Sequence, residues 1–74
     1  MGDRGTVNGL VDEHGKVPSP ENFGSDGNAL SLVASVTYAL KRNKWPLEAV
    51  EKFRKAALSG DYDHVVWSCM TVLE

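Results

Sequence analysis

Between residues 25 and 74 apolar side chains recur three times at helical spacing, with a chain-turning residue after each of the first two runs. The first run is Ala29, Leu32, Val33, Val36 and Leu40, which fall within about 100° of one another on a helical wheel. Ser25 or Asp26 supplies an N-cap. Lys41 and Arg42 sit where the helix dipole favours positive charge, and Asn43 can end the helix in the left-handed conformation. Trp45-Pro46 opens a second run, with proline at a first-turn position where its missing N–H costs nothing. Val50, Phe53 and Ala57 form its stripe, flanked by Ala49 and Ala56. Glu48 with Lys52 and Glu51 with Lys55 are i,i+4 pairs in the favourable order, and Gly60 is a natural stop. Asp61 caps a third run, Tyr62, Val65, Val66, Cys69, Met70, Val72 and Leu73. Its β-branched residues weaken helix propensity and leave a terminal strand as the alternative, but capping and periodicity favour a helix. The spacing thus predicts helices over 27–42, 46–58 and 62–73, an all-α, small three-helix bundle.

Residues 1–24 have the composition of a loop, holding five of the seven glycines and two of the three prolines. Val17-Pro18-Ser19-Pro20 favours extended backbone, because each proline pushes its predecessor out of the helical region. Asn8-Gly9 suits a hairpin turn, yet an isolated two-stranded hairpin is marginal in water. The expectation is a flexible N-terminal arm over 1–24 before a domain over 25–74. Val7, Leu10, Val11 and Phe23 are the side chains with which the arm can dock.

Length and composition narrow the rest. A chain of 74 residues makes one domain, and one this short buries only about 60% of its unfolded surface. Self-association is a natural way to bury more. Cys69 is the single cysteine, so no intramolecular disulfide forms, which suits a reducing cytoplasm. The N-terminus lacks the apolar core of a secretory signal. No stretch approaches the roughly 20 apolar residues that span a bilayer. A cytoplasmic protein without membrane contact is expected. Net charge is −2, which argues against general attraction to polyanions. Residues 25–74 carry six acids and six bases, with every base between Lys41 and Lys55.

Asp26-Gly27-Asn28-Ala29 at the start of the first run, and Ser59-Gly60-Asp61-Tyr62-Asp63-His64 between the second and third, resemble a group of small proteins from bacteriophages and bacterial genomes. The resemblance covers about two-thirds of the chain and excludes the arm. The group has no assigned activity, so it implies a phage origin and a helical layout only. Its members carry a polar residue where Trp67 stands, which marks this tryptophan as particular to this chain.

No combination of residues points to catalysis or to a cofactor. The turn at Ser25-Asp26-Gly27-Asn28 lacks the Lys and Ser/Thr of a phosphate loop. Asp61, Asp63 and His64 lack calcium-loop spacing, and His14, His64 and Cys69 are too few and too scattered for zinc. His64 lies about 140° around the helix from Cys69, so it cannot activate that thiol. A non-enzymatic chain without metal or cofactor is expected. Two binding readings remain. Leu30, Ala34 and Tyr38 form a second strip off the core stripe, and Trp67 points away from its own helix's arc. With Trp45, Leu30, Tyr38 and Trp67 make a candidate partner-binding surface for a protein or a second copy of the chain. The alternative is a nucleic-acid-binding accessory protein using Lys41, Arg42, Lys44, Lys52, Arg54 and Lys55, although Glu48 and Glu51 share a face with part of that zone.

Overall fold

The computed structural model describes residues 3–21, 23 and 27–74, and the fold is all-helical. Among the described residues there are four helices rather than three: α1 (Arg4–His14), α2 (Ala29–Arg42), α3 (Leu47–Ala57) and α4 (Tyr62–Val72). The three expected helices are α2 to α4, within a residue or two. The addition is α1, in the segment expected as a flexible arm.

Local chemistry and long-range burial both account for α1. Asp3 caps it, accepting from the Thr6 N–H at 3.0 Å and the Thr6 hydroxyl at 2.6 Å. Val7, Leu10, Val11 and His14 stand at i, i+3, i+4 and i+7, one face of a helix; Val7 and Leu10 are buried in the core. Gly5 and Gly9 each cost about 1 kcal/mol of helix propensity relative to alanine. Burying a valine or a leucine returns about 1.5–3 kcal/mol each, so docking decides the outcome. Gly15 ends the helix at φ 85°, ψ 170°, a region open essentially to glycine alone. The chain then runs beside the end of α4. Val17 donates to the Val72 carbonyl at 2.9 Å and accepts from Glu74 N–H at 2.8 Å, an isolated parallel bridge to Leu73.

The caps refine the expected boundaries. Ser25 and Asp26 lie outside the described residues; the cap of α2 is Asn28, whose side-chain oxygen accepts from Leu30 N–H at 2.8 Å. At the other end the left-handed residue is Lys44, at φ 69°, and not Asn43. Lys44 N–H reaches the Lys41 carbonyl at 3.2 Å and Trp45 N–H reaches Leu40 at 3.1 Å, the paired bonds of a Schellman motif. A non-glycine residue there costs about 1–2 kcal/mol. Pro46 stands one residue before α3 as its cap. That helix closes with φ −87° at Leu58 and with the Ser59 hydroxyl donating to the Ala56 carbonyl at 2.6 Å; Gly60 is not in the left-handed region. Asp61 caps α4 as expected, accepting from His64 N–H at 2.9 Å.

Helices α3 and α4 pack against each other, and each also packs against α1 and α2, which do not meet. Thus α1 and α2 are opposite flanks of a central pair. Phe53 of α3 is fully buried, with Leu40, Val36 and Val33 from α2, Val72 and Cys69 from α4, and Val7 from α1. The outer face of α3 is charged: Lys52 meets Glu48 at 3.8 Å, and Glu51 meets Arg54 at 3.3 Å instead of Lys55. These exposed pairs add little stability. No helix among the described residues is long and apolar enough to cross a membrane.

Candidate interaction surface

The groups that most resemble reactive chemistry are held in structural roles. Cys69 is fully buried, and that burial pushes its thiol up to about 11, so little of the reactive thiolate forms near neutral pH. Ser68 and His64 are both buried, with the hydroxyl oxygen 3.3 Å from His64 Nε2. The same nitrogen lies 2.8 Å from the Ala56 carbonyl. A carbonyl only accepts, so Nε2 carries a proton and donates it there; it is not placed to take one from Ser68. His64 Nδ1 is buried without a hydrogen-bond partner among the described residues. Asp61 is occupied by capping, Asp63 is exposed and His64 points inward. Among the described residues no three His, Cys, Asp or Glu side chains converge on a metal-sized site.

Of the four side chains expected to make a partner surface, the structure leaves two outside. Leu30 is 64% exposed and Tyr38 62%. Trp45 is only 5% exposed: its ring tilts against His14 with centroids 5.0 Å apart. Its indole N–H has no partner among the described residues, a cost of about 1–3 kcal/mol. Trp67 is half-buried, stacked on His64 at 5.9 Å with the Arg4 guanidinium 4.9 Å over the ring. Trp45 is therefore removed from the exposed set, and Trp67 is covered on one side. Helix α1 contributes to both, and His64 of α4 adds to the cover of Trp67. The two ends of α1, Arg4 and His14, land on the two tryptophans, and a reading without α1 left them uncovered.

What remains exposed and apolar on α2 is one strip. Leu30, Ala34 and Tyr38 stand four residues apart and face outward. Residues 29–40 contain no charged side chain, although Glu21 of the α1–α2 connector and Arg42 both line the cleft beside Tyr38. The Arg42 guanidinium lies 5.8 Å from the Tyr38 ring. Beside that ring is a cleft of about 470 Å³, whose other walls are residues 18–21 of the α1–α2 connector with Ala39, Arg42 and Asn43. The connector's part in this surface was not anticipated; it turns there, with Phe23 N–H donating to the Pro20 carbonyl at 3.1 Å. Tyr62 and Met70 of α4 and Leu47 of α3 are exposed too; for Tyr62 and Met70 this corrects the expectation of a core position.

The basic zone is less continuous in space than in sequence. Lys52 and Arg54 face Glu48 and Glu51, as above. Lys52 and Lys55 also line a groove of about 640 Å³ between α1 and α3, which Asp3 and Glu13 share. Its walls carry both signs of charge.

Comparison with protein-family models, with curated proteins and with solved structures finds no match to this chain. The resemblance to the phage group therefore stands on its two motifs alone.

Proposed function

We propose that this chain is a non-enzymatic protein–protein interaction module, phage-encoded as the motif resemblance implies, which binds itself or a host protein through the outer face of α2. The observation that carries the proposal is the exposed strip of Leu30, Ala34 and Tyr38 on a helix without charge over residues 29–40. Interface cores are depleted in charged residues and enriched in tyrosine, and an aromatic ring beside a pocket is a common energetic centre. Leu30, Ala34 and Tyr38 with the cleft wall replace the four-residue set expected from the sequence.

The test is capture from a bacterial lysate by the immobilised chain, compared with the double variant Leu30→Glu/Tyr38→Glu. Both sites are exposed, so the fold should survive, which circular dichroism would verify. Loss of captured protein in the variant supports the proposal; an identical captured set overturns it. The alternative, a nucleic-acid accessory protein using the zone from Lys41 to Lys55, is disfavoured by the carboxylates facing Lys52 and Arg54. It requires affinity that falls steeply with salt, and flat salt dependence would remove it.

A further inference from the structure

We infer that Asn8-Gly9 is a site of spontaneous modification, at which the docking of α1 holds back conversion of the asparagine to an isoaspartyl link, and that this link, once formed, releases α1 from the bundle. The inference is independent of the α2-face proposal. Both residues lie within α1 and are exposed. The Asn8 side chain makes no hydrogen bond among the described residues. The space beside Gly9 is open, since an added Cβ there meets nothing within 4 Å. No other asparagine in the chain precedes a glycine.

The reaction needs only water. The Gly9 backbone nitrogen, unshielded by a side chain, gives up its proton and attacks Asn8 Cγ. The new N–C bond closes a five-membered succinimide, and Asn8 Nδ2 leaves as ammonia. Water then opens the ring at one of its two carbonyls. Attack at Cγ restores an ordinary backbone with an aspartyl side chain. Attack at the α-carbonyl leaves the chain running through Cβ and Cγ, the isoaspartyl link. Helix α1 blocks the first step in two ways. Its i→i−4 ladder takes the Gly9 N–H, and a helical ψ of about −42° at Asn8 holds the Gly9 nitrogen away from Cγ. Both constraints lapse only when α1 opens. Gly5 and Gly9 weaken the helix, and the burial of Val7 and Leu10 holds it, so the rate follows the undocked population of this one segment. The isoaspartyl link adds one atom to the backbone between Val7 and Leu10. It breaks the 3.6-residue register that turns both toward the core, whereas the aspartyl product keeps that register. Release of α1 takes His14 from Trp45 and Arg4 from Trp67.

The experiment incubates the full chain at mildly alkaline pH, folded and in denaturant, and follows position 8 by peptide mass mapping. Replacement of –NH2 by –OH changes the mass, which separates it from mass-neutral isomerisation at Asp26-Gly27. The folded chain should react about tenfold more slowly than the denatured chain, or slower still. Leu10→Ala should recover most of that difference, with amide protection of α3 reporting that the rest of the bundle stays folded. Gly15→Ala, which disturbs only the end of α1, should accelerate the folded-state reaction several-fold and serves if Leu10→Ala unfolds. Gly9→Ala should suppress the reaction in both states. The isoaspartyl chain, purified by chromatography, should lose amide protection across α1 and gain tryptophan quenching by acrylamide, while Asn8→Asp should match the wild type in both. Equal rates in the folded and denatured chain, or no acceleration in either α1 variant, overturn the gating. An isoaspartyl chain that keeps its α1 protection overturns the release.

Discussion

The two flanking helices, α1 and α2, solve opposite problems. Helix α1 has weak propensity, with Gly5 and Gly9 in its length, and an outer face of Asn8, Asp12 and Glu13 suited to water. It exists because Val7 and Leu10 are buried and because its ends land on Trp45 and Trp67. Helix α2 is capped at both ends and docks through a fuller stripe, with Leu32, Val33, Val36, Ala39 and Leu40 buried. Yet its outer side leaves Leu30 and Tyr38 in water. One flank spends its apolar groups on covering the bundle, and the other keeps some exposed. A helix already docked through a full core stripe can carry an exposed apolar strip, because its stability does not depend on those outer side chains.

That contrast breaks most readily at matched leucines. Leu10→Ala should cost about 2–4 kcal/mol, while Leu30→Ala should stay within about 0.5 kcal/mol; chemical denaturation of both variants at low protein concentration checks the pair. Equal losses would mean that the flanks are not different. Gly15→Ala should cost about 1–3 kcal/mol, because the penalty lies in the backbone angles and not in crowding: an added Cβ there meets nothing within 4 Å. The melting temperature should fall accordingly. Arg4→Ala should cost about 0.5–1 kcal/mol, the value of an exposed cation over an aromatic ring, and should raise quenching of Trp67 by acrylamide with no effect on a Trp67→Phe chain.

The smallest effect is on the α1 cap. The Thr6 hydroxyl, and then the Thr6 backbone N–H, hold the Asp3 carboxyl below its ordinary value of 3.8. A depressed carboxyl adds stability above its unfolded value and loses it as pH falls through the folded one. The cap's contribution should therefore be complete above about 3.8 and fade at lower pH. Thermal melts of the wild type and Asp3→Asn should converge as the pH drops through that window.

Much of the bundle could be read from spacing alone. The stripe from Leu32 to Leu40, the Val50–Phe53–Ala57 set and the Asp61 cap each carry their information within one helix. So did the outward direction of Leu30 and Tyr38, which follows from the wheel. Helix α1 was hidden because its glycines argue against a helix locally, while the side chains that hold it lie far along the chain. Trp45 was misplaced for the same reason, since its ring partner is His14 of α1; Trp67 has Arg4 of α1 over its ring and also stacks on His64 within α4. The left-handed turn fell one residue late, on Lys44, because the hydrogen bonds from Lys44 and Trp45 back into α2 override the preference of Asn43.

Amide hydrogen exchange across residues 4–14 of the native chain bears most directly on whether α1 belongs to the bundle. The amides in the last two turns of α1 should exchange far more slowly than an unstructured peptide, and the burial of Val7 and Leu10 should make that protection fall together with that of α3 as denaturant is added. Exchange at the unprotected rate, with α3 still protected, would show that the segment is an arm after all and that Trp45 and Trp67 lack the cover of His14 and Arg4.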